Sequence, residues 1–230
     1  MPTSPPPPRS FDHVALWVSD RDELADFLCS YLGLHVIERS DSFTLVGADA
    51  LEGKVTLFDA EAPRDPGPLR RIVFRTSDLD TAIGRLPNDL PVERSGGLAQ
   101  FEGPQGVGFG LLEDDGIDYD LDHVVLEVAD PDATARALTG LGFQPAEGGV
   151  AIGERSLRLE AGSPDGAGQP LLNHLALLVS SAEEWRRAAE AEGIEVTDTK
   201  DAPNTYAVFL RGPEDISLEY VEHKPGFSLV

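Results

Sequence analysis

Two histidines and a glutamate are the residues of this sequence best suited to chemistry: His123, His174 and Glu219. Each histidine begins an apolar, strand-like segment, in DHVVLEVAD and in NHLALLVSS, and the glutamate lies within ISLEYVE. Because side chains alternate along a strand, all three can share the concave face of one cupped sheet. Two imidazoles and one carboxylate on one side of a divalent ion leave its other positions open to substrate, water or dioxygen. The spacing therefore predicts a metal site of the facial-triad type.

The elements that must position these residues come from a fourfold repeat. Apolar strands of about six residues begin near residues 13, 71, 123 and 174, in DHVALWVSD, RIVFRTSD, DHVVLEVAD and HLALLVSS. Helix-start signals follow each strand, at Asp20, Asp78, Pro131 and Ser181. Glycines suited to helix C-caps occur at Gly33, Gly142 and Gly193. Each helix precedes short strand-like runs divided by Gly, Pro and Asp, so the sequence predicts a βαβββ module repeated four times.

One module is too small to bury its own sheet face, so the modules are expected to pair into two cupped-sheet domains of the α+β class. We expect consecutive modules to pair, giving an N-terminal domain over 11–114 and a C-terminal domain over 119–223. The acidic stretch EDDGID would then link the two domains. Residues 1–10, which include four consecutive prolines, are expected to form a disordered tail, and residues 224–230 a second tail.

The first half of the chain carries a degenerate copy of the predicted site. Its matching first-strand positions hold His13 and Arg71, and alignment of GPQGVGFGL with GPEDISLEY puts Gly110 opposite Glu219. Only the C-terminal domain is therefore expected to bind metal. The remaining candidates are given structural roles: His13 packs within the N-terminal cup beside Trp17, Arg71 and Arg75, Cys29 lies in the core, and His35 and His223 lie at the surface, His223 with the strand parity of Glu219.

Composition and charge limit the partners. The net charge of −23 disfavours nucleic acids and anionic membranes, because such a surface repels phosphate groups. No apolar run is long enough to span a membrane, and the N-terminal stretch lacks the hydrophobic segment of a signal peptide. With a single cysteine there is no intramolecular disulfide, which favours a reducing cytoplasm. The expected partner is a small-molecule substrate.

The four modules, the DHV and NHL openings and the closing GPEDISLEY resemble the vicinal oxygen chelate superfamily over about residues 11–223. That superfamily includes glyoxalase I, bleomycin-resistance proteins and type I extradiol dioxygenases, and the two-domain dioxygenases are the most similar. The resemblance implies Fe(II), or else Mn(II), Zn(II) or Ni(II), bound by His123, His174 and Glu219. It also implies a substrate that chelates the metal through two adjacent oxygens, and a homodimer as one assembly.

The sequence departs from the extradiol pattern around the predicted metal. Phe209 stands where those enzymes usually carry a tyrosine, Lys200 stands where they carry a histidine, and no histidine occurs between 124 and 173. Lys200 and Glu127 are substitute candidates for acid–base catalysis. Asn204, Phe209 and Arg158 are candidates for substrate binding, while the parity of Tyr206 points it away.

The sequence leaves open whether three or four protein residues bind the predicted metal. Glyoxalase I offers a fourth ligand from the preceding module, and alignment puts Arg158 at that position, although a two-residue slip would bring Glu160 there. A three-ligand site favours an extradiol-type oxygenase acting on a small catechol-like or enediol substrate. The alternatives are a non-redox isomerase or lyase of the glyoxalase type, and a non-enzymatic protein that binds a small molecule such as an antibiotic.

Overall fold

The computed structural model describes residues 5–48, 53–114, 119–163 and 169–227, and within these residues the predicted βαβββ module occurs four times. Module 1 contains β1 (Ser10–Val18), α1 (Arg21–Tyr31), β2 (His35–Arg39), β3 (Phe43–Gly47) and β4 (Lys54–Asp59). Module 2 contains β5 (Leu69–Thr76), α2 (Leu79–Arg85), β6 (Glu93–Ser95), β7 (Leu98–Glu102) and β8 (Gly108–Glu113). Module 3 contains β9 (Leu121–Val128), α3 (Pro131–Gly140), β10 (Gln144–Ala146), β11 (Gly149–Ile152) and β12 (Arg155–Ala161). Module 4 contains β13 (Leu172–Leu178), α4 (Ala182–Glu192), β14 (Val196–Asp201), β15 (Thr205–Arg211) and β16 (Ser217–His223).

The helices begin where the sequence signals predict. The side chains of Asp20, Asp78, Asp130 and Ser181 each accept a hydrogen bond from the backbone N–H three residues later. Such caps satisfy donors that the first helical turn leaves without partners. Helix α4 ends at Gly193, whose φ of 72° lies in the left-handed region that favours glycine.

The strands form two eight-stranded sheets, and the pairing of modules differs from the expected one. Sheet I has the order β14-β15-β16-β13-β1-β4-β3-β2, so it combines modules 1 and 4. Sheet II has the order β10-β11-β12-β9-β5-β8-β7-β6, so it combines modules 2 and 3. The first strands pair antiparallel at the centre of each sheet, β1 with β13 and β5 with β9. The expectation that consecutive modules share a sheet, with a division near 114–119, was wrong, and residues 115–118 of the linker lie outside the described residues.

Consecutive modules instead pack against each other across the two sheets. The Oγ of Ser19, just before α1, donates to Gln105 of the 3₁₀ turn Pro104–Gly106 at 2.6 Å. The Oγ1 of Thr134 in α3 donates to Glu214 of the 3₁₀ turn Pro213–Asp215 at 2.9 Å. Both contacts join a helix start of one module to the turn before the last strand of the next. The helices thus hold neighbouring modules together while their strands belong to different sheets.

The described part of the proline-rich segment is ordered against the protein rather than a free tail. The indole N–H of Trp185 donates to the carbonyl oxygen of Pro6 at 3.1 Å, Pro8 is buried, and the N–H of Arg9 donates to Leu178 O at 2.8 Å. At the other end, the N–H of Lys224 donates to Asn204 O at 2.9 Å, so residues 224–227 fold back as a turn. The expected disorder was therefore wrong for residues 5–10, and residues 224–227 of the second tail form a turn, while residues 1–4 and 228–230 lie outside the described ranges.

Throughout the ranges that the structure describes, the helices are too short or too polar to cross a membrane.

Candidate metal centre

His13, His174 and Glu219 converge on the concave face of sheet I. In the register of β1 and β13, His13 pairs with Ala176 and Ala15 pairs with His174, so the two histidines lie diagonally across the central strand pair. In the register of β13 and β16, Ala176 pairs with Glu219. The imidazoles and the carboxylate therefore surround one point above the two alanines.

The three ligand atoms already have the separation that a metal requires. His13 Nε2 lies 3.0 Å from His174 Nε2 and 3.3 Å from Glu219 Oε2, and His174 Nε2 lies 2.9 Å from Glu219 Oε2. Ligands about 2.1 Å from a metal on adjacent octahedral corners are about 3.0 Å apart. Two nitrogens and one carboxylate oxygen suit Fe(II), Mn(II), Zn(II) and Ni(II). Both the spacing and the chemistry of this donor set fit a divalent transition metal.

His123, one of the three predicted ligands, lies in sheet II and contacts neither His174 nor Glu219. Its Nδ1 is hydrogen-bonded to Asp122, and it pairs across the strands with Val73. The physical reason is the module pairing, because β9 joins β5 rather than β13. His13, which the sequence suggested for a packing role, occupies the position predicted for His123.

Sheet II holds a different set of residues at the corresponding positions. Arg71 takes the place of His13, and the register of β12 and β9 puts Arg158 in the place of Glu219. Gly110 pairs with Val73 in the parallel register of β5 and β8. Where sheet I has Ala15 and Ala176 on the floor of the cup, sheet II has Val73 and Val125, which are both buried. The valines fill the space that the smaller alanines leave open, so sheet II has neither the ligands nor the room for the same site.

The position of a fourth protein ligand is held by Thr56. Ala15 pairs with Thr56 in the parallel register of β1 and β4, as Ala176 pairs with Glu219 in that of β13 and β16. Thr56 is therefore the module 1 counterpart of Glu219. The other candidate, Glu160, belongs to sheet II, is 52% exposed at its side chain and forms an ion pair with Arg71 at 3.1 Å. The described residues at this site offer two histidines and one carboxylate.

Hydrogen bonds fix the orientation of both imidazoles. Asp12 accepts from His13 Nδ1 at 2.7 Å, and Asn173 Oδ1 accepts from His174 Nδ1 at 3.0 Å. Both contacts select the tautomer that leaves Nε2 available as a ligand. Asp12 also contacts the ammonium of Lys54 at 3.2 Å, and both side chains are almost fully buried. Neighbours in the sequence, in the phrases DHV and NHL, thus hold the histidines in place.

The ionisation of the site reflects the close approach of these groups. Burial opposes charge on His13, but its hydrogen bonds to Asp12 and Glu219 raise its pKa to about 9. Burial likewise opposes charge on Glu219, yet His174 and His13 lower its pKa to about 2. For His174 burial dominates, so its pKa is lowered. Without a metal, the site therefore holds a proton on His13 and a carboxylate on Glu219.

A cavity of about 450 Å³ opens above the three residues. Its apolar wall includes Phe58 and Phe209, whose rings lie 6.2 and 5.2 Å from that of His174. Lys200 and Asn204, predicted from the sequence to approach the site, line this cavity; the Lys200 side chain is 65% exposed and forms an ion pair with Asp198 at 2.7 Å.

Three other placements bear on the predicted site residues. Glu127 and Arg158 belong to sheet II, away from the cavity; Glu127 forms an ion pair with Arg70 at 2.6 Å. Their assignment to the site was wrong, because it assumed that module 3 pairs with module 4. The hydroxyl of Tyr206 donates to Glu183 at 3.4 Å, so this side chain points away from the cavity, as its parity predicted.

A family model matches the first two modules in sequence. The sequence profile of the Glyoxalase/Bleomycin resistance protein/Dioxygenase superfamily matches residues 10–118. Residues 10–118, which contain modules 1 and 2, therefore belong to this superfamily. No curated protein matches it in sequence.

Solved structures show the same fold, the vicinal oxygen chelate fold. A putative dioxygenase from Bacillus subtilis subsp. subtilis str. 168 superposes with a TM-score of 0.78 at 20% identity, over 96% of this chain and 87% of its own. Glyoxalase I from Zea mays superposes with a TM-score of 0.72 at 15% identity, over 93% of this chain and 92% of its own. Proteins with this fold thus include a putative dioxygenase and a glyoxalase I.

Sequence reasoning missed two residues around this site, Asp12 and Lys54, and it gave His223 a surface position although the strand parity of His223 matches that of Glu219. His223 lines the cavity, its side chain is 16% exposed, and its Nε2 lies 3.1 Å from Asp12 Oδ2. A signal for Asp12 existed, since DHV occurs twice and the aspartate precedes the histidine each time. Lys54 gave no such signal, because its proximity to Asp12 depends on how β4 pairs with β1.

Proposed function

We propose that this protein is a metal-dependent oxygenase of the extradiol ring-cleaving type, acting on a small catechol-like or enediol substrate. One observation carries the proposal: His13, His174 and Glu219 form a facial set, and threonine occupies the place of a fourth ligand. A set of three leaves enough positions on the ion for two substrate oxygens and for dioxygen.

His13, His174 and Glu219 would hold the ion, with Fe(II) as the first expectation and Mn(II), Zn(II) or Ni(II) as alternatives. When bound, the metal supplies a Lewis acid that favours ionisation of the substrate hydroxyls and a common centre for diol and dioxygen. Asp12 and Asn173 keep each histidine in the ligating tautomer. The single carboxylate of Glu219 leaves one positive charge on a divalent ion, which suits a substrate bound as a monoanion.

The cavity fits one small ring. Phe58 and Phe209 offer aromatic walls beside His174, and aromatic pairs favour tilted or edge-to-face contacts. A volume of about 450 Å³ lies in the usual range for small-molecule pockets. Phe58 and Phe209 make this part of the wall apolar, while Asn204 and Lys200 add polar groups that can select ring substituents.

The test is oxygen consumption. Protein purified without oxygen is reconstituted with Fe(II) and mixed with a panel of catechols, and dioxygen uptake is followed with an oxygen electrode. We expect one dioxygen per diol cleaved, and no uptake by His174→Ala. Turnover with Zn(II) or Ni(II) in the absence of dioxygen would establish a non-redox isomerase or lyase instead. Ligand affinity that survives Glu219→Ala unchanged would indicate a binding protein.

A further inference from the structure

In the described part of the chain, the histidines that line the cavity are His13, His174 and His223. The first two belong to the metal site, and His223 does not. It shares the face of β16 with Glu219 and Val221, and all three line the same cavity. Its ring stacks on Phe227, with centroids 3.7 Å apart and an interplanar angle of 9°. The turn that carries Phe227 is anchored by the hydrogen bond from Lys224 N to Asn204 O. The imidazole is thus held at the cavity wall from two sides.

The contact with Asp12 fixes which nitrogen of His223 carries the hydrogen. Asp12 Oδ2 lies 3.1 Å from His223 Nε2, and an ionised carboxylate can only accept. Nε2 is therefore the donor, and Nδ1 carries the lone pair in the neutral ring. Nδ1 has no partner in the described part of the chain.

A carboxylate bonded to an imidazole whose other nitrogen is available is the arrangement of a general base. We infer that His223 is a catalytic residue of this cavity, the base that takes a proton from a hydroxyl of the bound substrate. This inference rests on the proposed function, since it names the base for that reaction. The lysines that line the cavity, Lys54 and Lys200, are less suited to act as a base. A lysine is ordinarily protonated near neutral pH, and Lys54 is buried against Asp12.

The proton transfer balances without any further reactant. The substrate O–H bond breaks, an N–H bond forms at Nδ1, and the electron pair stays on the substrate oxygen. His223 becomes an imidazolium whose positive charge faces Asp12. The proton then passes from Nδ1 to the product or, through the cavity mouth, to solvent, which restores the neutral ring.

The experiment compares His223→Gln and His223→Ala with the wild type and with His35→Ala, which removes an exposed histidine of β2. Glutamine can still donate to Asp12 but cannot act as a base. All proteins are loaded with Fe(II), and metal content is measured. Two properties are then measured. The first is the visible spectrum of 4-nitrocatechol bound in the absence of oxygen, which reports the ionisation of the catechol. The second is dioxygen uptake with the best substrate.

We expect both His223 variants to keep the metal, to bind 4-nitrocatechol in a less ionised form and to lose turnover by about 100-fold or more. Added imidazole should restore part of the turnover of His223→Ala, and His35→Ala should match the wild type. Full turnover by His223→Gln, or loss of metal together with no rescue by imidazole, would overturn the inference and leave the proposed function standing. If the loaded wild type neither binds 4-nitrocatechol nor consumes dioxygen with any diol, both proposals fail.

Discussion

His13 Nε2 and His174 Nε2 lie 3.0 Å apart, although 161 residues separate the two histidines in the chain. Two lone pairs cannot approach so closely unless a proton or a metal ion lies between them. In the metal-free protein that role falls to the proton on His13, which Glu219 also attracts. The same pocket therefore accepts either a proton or a metal ion, and the two must compete.

This competition makes metal affinity depend on pH. Since the pKa of His13 is raised to about 9, a metal that binds at neutral pH must displace one proton. We expect the affinity to rise about tenfold per pH unit from pH 7 to pH 9 and to level off above that. Competition titration with a chelator at several pH values measures this slope. A flat profile would show that His13 is neutral in the metal-free protein.

The same proton stabilises the metal-free fold. A folded-state pKa of about 9 exceeds the unfolded value of about 6.5, so the stabilisation is complete below pH 6.5 and is lost as pH rises through 9. We expect the free energy of unfolding of the metal-free protein to fall by about 1–3 kcal/mol between pH 6.5 and pH 9.5. Urea titrations at the two pH values measure the change. In His13→Gln this part of the pH dependence should vanish, whereas His35→Gln should retain it.

Replacement of Thr56 tests the open position at the metal. Thr56→Glu places a second carboxylate at the counterpart of Glu219, where it can take a coordination position that the substrate needs. We expect metal content to be kept and oxygenase turnover to fall by about 100-fold or more. Thr56→Val, which has nearly the same shape but no ligand atom, is the control and should keep its turnover. Equal turnover of Thr56→Glu and Thr56→Val would place the substrate elsewhere.

Substitution of equivalent histidines in the two sheets tests the module pairing. His174→Ala should abolish metal binding, because it removes one of the three ligands. His123→Ala should keep about one metal per chain, because His123 lies in sheet II. His123→Ala should lower the free energy of unfolding by about 1–3 kcal/mol, because Asp122 loses its hydrogen bond to the ring of His123. Mass spectrometry measures the metal content of each variant, and urea unfolding measures its stability. Loss of metal from His123→Ala would favour pairing of modules 3 and 4.

Local features of this fold could be predicted from the sequence because local residues determine them. Asp20 and Ser181 predict helix starts, and strand alternation places Glu219 and Phe209 on the face opposite to Tyr206. The partner of each module could not be predicted, because the four first strands are nearly equivalent in pattern and either pairing buries the same alternating face. His13 and His123 even stand in the same phrase, DHV. What separates them is the size of the floor residues, Ala15 and Ala176 against Val73 and Val125.

Because β1 pairs with β13, the central strand pair of sheet I can form only after module 4 has been synthesised. His13 leaves the ribosome early, but its neighbours His174 and Glu219 follow only after modules 2 and 3. Until β13 arrives, the edge of β1 that it will cover offers unpaired backbone groups to any other strand. Pairings between distant segments form slowly and leave the nascent chain prone to association. A sheet whose central strand pair joins modules 1 and 4 is therefore expected to depend on chaperones more than a sheet built from consecutive modules.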